Sequence, residues 1–351
     1  MSERFSWRLV EAGKPLQRHD AAGHAPGAGE VLVEVAGCGV CHTDVGFWEG
    51  SVRTRGDLPI TLGHEVSGTV VEAGVGATEW VGRQVLVPAV IPCGECDLCL
   101  AGRGNACTRQ VMPGNDIDGG FASHLTVPAG YLTEIPMLPE GHTLADFAVV
   151  ADAVTTPLQA VRRARVAAGD LVVVIGTGGI GTYAVQIAAA SGAKVIAIDL
   201  DPARLDPLTS RGAAATISAG GLDARAVKDR VQEIASEWNL ARHGWKIFEC
   251  SGHPAGQETA FGLLGTAATL AVVGFTREKV SIRLSNLMAF DADAFGTWGC
   301  PPHLYPEAVG LVATGKVEVL PFTRKVPMDD AEEALAQAAA GTDPRRIILV
   351  P

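Results

Sequence analysis

The sequence predicts an α/β fold in which a doubly wound parallel sheet is inserted into a second, β-rich and irregular domain. Three observations carry this expectation. Between residues 152 and 290, apolar strand-like runs alternate with helix-like runs, the pattern of a parallel sheet covered by helices. Up to residue 151 the apolar runs are short, β-prone and broken by glycine and proline, as in a compact barrel-like domain. The 351 residues accommodate two domains at roughly 150 residues each.

In chain order, EVLVEVAGCGV, EVSGTVVEAG, RQVLVP and FASHLTVP are the strand candidates of the β-rich domain, residues 1–151. In the parallel-sheet domain, residues 152–290, the strand candidates are DLVVVIG, AKVIAIDL, WKIFECSG and ATLAVVGF, and the helix candidates TYAVQIAAASG and ARAVKDRVQEIASEW. Residues 291–351 are expected to return to the first domain. They contain, in order, the helix-like PEAVGLVATGKV, the segment VLPFTRKVP, the helix-like DDAEEALAQAAAG and a final strand RRIILVP. Neither repeats nor low-complexity tracts are present.

A formal charge of −11 argues against nucleic acid or an anionic membrane surface as a partner. Apolar runs such as LVVVIG and TLAVVGF are too short to span a bilayer, and the N-terminus lacks the apolar core of a signal peptide. The expectation is a cytoplasmic protein with no membrane partner. In a reducing compartment, clustered cysteines read first as metal ligands. Six of the eight cysteines lie between Cys38 and Cys107; Cys250 and Cys300 stand alone and read as core thiols.

The most informative local pattern in the second half is a buried strand running into Gly176-Thr177-Gly178-Gly179-Ile180-Gly181, followed by a helix. Glycines there permit a tight turn and close backbone approach to a pyrophosphate, and the helix start offers free N–H groups. A second strand ends at Asp199, eighteen residues after Gly181, where a carboxylate can accept hydrogen bonds from both ribose hydroxyls. The assembly reads as a Rossmann dinucleotide site. Asp199 argues for NAD over NADP because it repels a 2′-phosphate, although Arg204 lies close behind it.

Cys93, Cys96 and Cys99, with Cys107 eight positions further on, supply four thiolates from one loop. Four sulfurs complete a tetrahedral zinc shell and exclude water, the signature of a structural site; a redox disulfide is the alternative, which a reducing compartment disfavours.

Two further motifs, GCGVCHTD at 37–44 and LGHEVSG at 62–68, complete an ordered set that closely resembles the zinc-containing medium-chain alcohol dehydrogenases. The resemblance covers nearly the whole chain. It implies a GroES-like catalytic domain, two zinc ions per chain, and oxidation of an alcohol with hydride transfer to NAD. By position, Cys41 and His64 would be catalytic zinc ligands. The family's third ligand, usually cysteine, falls in ADAVTTPLQA, where this chain has Asp152. Aspartate is competent as a zinc ligand, and its bland alternative is a helix N-cap, with Thr155 and Thr156 as competitors.

The same resemblance places Glu65 beside the metal, Asp44 behind His64 as its orienting partner, and Thr43 on the substrate oxygen as the first step of proton release. Thr156 is placed among the cofactor contacts, and His42 would bond the pyrophosphate. A relay histidine common in relatives is replaced by Gly46. Cys38 matches no ligand position and reads as a packed thiol. A homodimer or homotetramer is expected from the family.

The segments MPGNDIDGGFASHLTVP, ADAVTTP and GTWGCPP resemble the 6-hydroxycyclohex-1-ene-1-carbonyl-CoA dehydrogenases, which implies an acyl-CoA substrate with a secondary cyclic alcohol. Arg53, Arg55 and Arg103 are the candidate phosphate contacts, against a reading as ordinary surface arginines. A secondary-alcohol or polyol dehydrogenase of small free alcohols is the alternative. A zinc-stabilised nucleotide-binding protein without catalysis is the third reading.

Overall fold

The computed structural model describes residues 4–341 and 343–351. These form two compact units: one of Met1–Thr155, Gly299–Gly315 and Val319–Pro351, the other of Thr156–Trp298 and Lys316–Glu318.

In the first unit a mostly antiparallel sheet runs in the order Thr323–Pro327, Arg346–Val350, Glu30–Gly39, Glu65–Ala73, Gln84–Val87, Thr133–Glu134, and His124–Pro128 pairs with Glu30–Gly39. A small sheet of Gln17–His19, Ser6–Leu9 and Ile60–Thr61 lies in the same unit. The inward residues Val31, Val33, Val35, Val66, Val70, Val85, Val87 and Leu125 form its core. They alternate along the strands, as a sheet with one face on a core requires.

The second unit is a parallel sheet. Its order is Ala213–Ser218, Lys194–Asp199, Leu171–Ile175, Lys246–Glu249, Thr269–Val272, Asp293–Gly296, and every neighbouring pair is parallel. Numbered along the chain this is 3-2-1-4-5-6, the Rossmann order. The central strand Leu171–Ile175 is apolar and buried at every residue, because helices cover both faces.

The two outer strands, Ala213–Ser218 and Asp293–Gly296, carry no strong sequence signal. An edge strand packs on fewer neighbours and tolerates polar or small residues; AAATIS and DAFG are largely exposed or half-buried. The strand Asp293–Gly296 extends the parallel sheet beyond residue 290, so residues 291–298 lie in the second unit and not in the first. Asp152, expected to open the parallel-sheet domain, lies instead in the first unit. The segment before it, the 3-10 helix Leu144–Ala151, is anchored there by Ser67, whose Oγ donates to the Leu144 carbonyl at 2.7 Å.

The short stretch Lys316–Glu318 belongs to the second unit through Glu318. Its backbone exchanges two hydrogen bonds with the Gln186 amide at 2.8 and 3.2 Å, and its carboxylate pairs with Arg211 at 2.8 Å. Among the described residues no single helix is long and apolar enough to cross a membrane.

Candidate active site

Cys41 ends the approach from the strand Glu30–Gly39 and stands at the N-cap of the helix His42–Trp48. Asp44, fully buried in the first turn, satisfies three donors there. Its carboxylate accepts the Cys41 N–H at 2.9 Å and the Gly63 N–H at 3.1 Å, and it lies 3.2 Å from His64 Nδ1. A carboxylate on Nδ1 keeps a proton on that nitrogen and fixes the ring, so that Nε2 is the nitrogen a metal would take, displacing any proton held there. Burial alone would lower the His64 pKa; the Asp44 charge and the hydrogen bonds to Asp152, Asp44 and Cys41 outweigh it and raise the value well above the ordinary one.

His64 Nε2 faces Asp152 Oδ2 at 3.8 Å, and Cys41 Sγ lies 4.0 Å from the same oxygen. One donor atom from each of Cys41, His64, Glu65 and Asp152 falls within 4.8 Å of the others. Tetrahedral zinc bonded at about 2.0–2.3 Å sets its ligand atoms about 3.3–3.8 Å apart, so the set is close to one that encloses the ion. Thr43 Oγ1 lies 3.7 Å from Cys41 Sγ.

Glu65 is fully buried at the start of its strand, and the Arg346 guanidinium clamps it with two hydrogen bonds, the Nε one at 2.8 Å. Burial pushes the Glu65 carboxyl up to about 7, with Arg346 pulling it back and Asp152 adding to the rise. A side chain on residue 39 would collide with the Glu65 carboxylate, so glycine at Gly39 makes room for it. Arg346 is the participant that sequence reasoning missed. The available signal was an arginine opening the otherwise apolar strand Arg346–Val350.

The four cysteines of the loop lie together in the first unit. Cys96 Sγ is 3.5 Å from Cys99 Sγ and 3.7 Å from Cys107 Sγ, and Cys93 Sγ is 3.9 Å from Cys99 Sγ. Sulfurs at the corners of a zinc tetrahedron stand about 3.8 Å apart, so the cradle fits the ion. Backbone N–H groups of Cys93 and Arg109 donate to Cys107 Sγ at 3.4 and 3.3 Å. The N–H of Glu95 chiefly lowers the Cys93 pKa to about 6, while burial and the neighbouring sulfurs push Cys99 up to about 12. Cys38 is buried and its thiol is raised well above the ordinary value, first by burial. Burial likewise raises the thiols of Cys250 and Cys300.

In the second unit the strand Leu171–Ile175 turns at Gly176, whose φ is +82° and whose Cβ would lie 2.5 Å from the Ser251 Cα. Only glycine suits both the left-handed backbone and the space. The helix Gly181–Ala190 follows, with Ile180 at its N-cap and no side chain capping it; the Thr182 and Tyr183 N–H groups bond the Gly178 and Ile180 carbonyls, and the positive end of the helix faces the turn, where it favours an anion. Asp199 ends the next strand. Its carboxylate accepts the Thr177 N–H at 2.6 Å, the Thr177 hydroxyl at 3.0 Å and the Asp201 N–H at 3.1 Å. The Arg204 guanidinium lies over Gly178, 3.1 Å from where a Cβ would stand. Gly179 adjoins them in the same turn, Thr156 is buried near the start of the helix Thr155–Arg163, and His42 is exposed.

Two family models match the chain: the alcohol dehydrogenase GroES-like domain over residues 27–137 and the zinc-binding dehydrogenase domain over 179–314. An alcohol dehydrogenase of Geobacillus stearothermophilus is 29% identical, the match covering 96% of both chains. D-xylulose reductase A of Aspergillus oryzae is 30% identical, covering 92% of this chain and 89% of that one. The NADP-bound structure of a zinc-binding-dehydrogenase-type protein from Sinorhizobium meliloti 1021 is 27% identical, with a TM-score of 0.87 and full coverage of both chains.

A Rossmann sheet and a GroES-like domain in one chain, with donor sets suited to zinc, define a metal-dependent nicotinamide dehydrogenase. Its cofactors are zinc and a nicotinamide dinucleotide. The chain belongs to the zinc-containing medium-chain alcohol dehydrogenase family.

Proposed function

We propose that the protein is an NAD-dependent dehydrogenase of small free secondary alcohols or polyols. Cys41, His64 and Asp152 hold its catalytic zinc, and Cys93, Cys96, Cys99 and Cys107 its structural zinc. One observation carries the reading: a thiol, an imidazole and a carboxylate converge within 4.8 Å, and the further carboxylate, Glu65, is drawn to Arg346. Zinc bound there supplies a Lewis acid that polarises the substrate oxygen. Asp44 orients His64, and the Thr43 hydroxyl accepts the substrate's hydroxyl proton as it gives up its own to solvent, the first step of proton release. The Arg346 guanidinium compensates the Glu65 charge inside the protein, where an unpaired carboxylate is costly.

The turn from Gly176 to Gly181 receives the pyrophosphate, and Asp199 the adenosine ribose, with Thr177 holding that carboxylate in place. Replacing Asp199 with serine keeps one hydroxyl near the ribose and loses about one hydrogen bond to a charged group, worth about 1.5–3 kcal/mol. The expected result is a kcat/KM for NAD⁺ lower by about ten- to a hundredfold, with NADP⁺ used nearly as well. Equal use of both cofactors by the unaltered protein would overturn the assignment.

The likeness to D-xylulose reductase A supports a polyol-type substrate. The CoA-thioester reading depends on Arg53, Arg55 and Arg103; all three are exposed, and Arg55 already pairs with Asp116 at 3.0 Å. A panel of linear polyols and cyclic alcohols, tested free and as CoA thioesters at equal concentration, should show turnover of the free alcohols. Turnover restricted to the thioester of a cyclic secondary alcohol would reverse this choice.

A further inference from the structure

Two of the three proposed zinc ligands are visibly held. Asp44 fixes the Cys41 backbone and the His64 ring together. Asp152 has a different support. It follows the 3-10 helix Leu144–Ala151 with a non-helical backbone, φ −137° and ψ −53°, and precedes the helix Thr155–Arg163.

The Ala151 carbonyl, one peptide before Asp152, is at a helix end, where carbonyls lack donors from their own helix. It receives two hydroxyls instead: Tyr305 donates at 2.7 Å and Thr155 at 2.9 Å. The Tyr305 oxygen also accepts the Ala89 N–H at 3.1 Å. Tyr305 is fully buried at the start of the helix Tyr305–Ala313, so water cannot replace either bond. An aspartate side chain has only two rotatable bonds, and its carboxylate goes where its peptide is placed.

We infer that Tyr305 is a positioning residue for the catalytic metal: its hydroxyl anchors the Ala151–Asp152 peptide and thereby aims the Asp152 carboxylate at Cys41 and His64. The inference rests on the reading of Asp152 as a ligand. Residues that orient metal ligands typically contribute about 10–100-fold to metal affinity.

The test uses the full-length zinc-loaded protein and Tyr305→Phe, which keeps the ring and removes the hydroxyl. Zinc competition against a chelator is expected to show one of two zincs bound about 10–100-fold more weakly, the four-cysteine zinc being unchanged. With Co²⁺ in the catalytic site, the visible bands should shift, and kcat should fall more than the KM for NAD⁺ rises. A lower melting temperature with unchanged zinc affinity and cobalt spectrum would mean that Tyr305 only ties the fold together, which overturns the inference. If Tyr305→Phe does not fold, Thr155→Val takes the other hydroxyl from the same carbonyl. Weaker catalytic zinc in that variant supports the anchoring, and unchanged zinc overturns it. Asp152→Asn separates the two levels. Loss of zinc there beside a normal Tyr305→Phe refutes the inference alone, whereas retained zinc refutes the ligand reading beneath it.

Discussion

Asp152→Asn is expected to lose one of two zincs per chain and to lower turnover by more than about 100-fold, beyond the range for residues that merely orient ligands. The amide keeps the size of the side chain and its capacity to cap a helix, but it is neutral and a poor zinc donor. A cap would leave the substitution almost silent. The geometry favours the large effect, because Asp152 Oδ2 faces both His64 Nε2 and Cys41 Sγ at 3.8 and 4.0 Å. Metal analysis together with NAD⁺ reduction reads the outcome, with NAD⁺ affinity as the control that the second unit is intact. Asp152→Cys should retain the metal with altered activity, since thiolate donates more charge to zinc and weakens it as a Lewis acid. Full zinc occupancy and normal turnover in Asp152→Asn would leave Cys41 and His64 with Glu65 as the remaining donor.

Cys99→Ser is expected to remove the other zinc and to cost about 4 kcal/mol or more of stability, the range that includes loss of a structural metal. The loop from Cys93 to Cys107 has little apolar content with which to hold itself: Leu98 is half-buried and Leu100 is largely exposed. Its four sulfurs are already at tetrahedral spacing. With Cys99 held up near 12 and Cys93 down near 6, the metal-free cluster retains protons that zinc must displace, so binding should weaken as pH falls. Zinc content and thermal unfolding of Cys99→Ser measure the effect. A variant that kept two zincs and the full melting temperature would remove the structural role.

The parts legible in the sequence are those built from neighbours. The strand, glycine turn and helix from Leu171 to Ala190 are contiguous, and the turn's backbone demand is written directly in glycine. The four cysteines lie within one loop, so their spacing is already a statement about geometry. Buried central strands also declare themselves, because both faces must be apolar. The edge strands Ala213–Ser218 and Asp293–Gly296 do not, having one side without a partner.

The cluster of Cys41, His64, Glu65 and Asp152 was legible only as separate motifs. Asp152 is 111 residues from Cys41, Arg346 is 281 from Glu65, and Tyr305 is 154 from Ala151. No local spacing encodes such meetings; sheet register does. Gly39 pairs across to Glu65 on one side and to Ile348 on the other. Arg346, two residues before Ile348, is thereby brought within reach of the carboxylate. The sequence by itself determined the fold class, the dinucleotide turn and the four-sulfur loop, because each is satisfied by residues adjacent in the chain. The tertiary structure alone decided which buried charge Arg346 meets and which carbonyl Tyr305 holds, because those contacts exist only once distant strands and helices have packed in register.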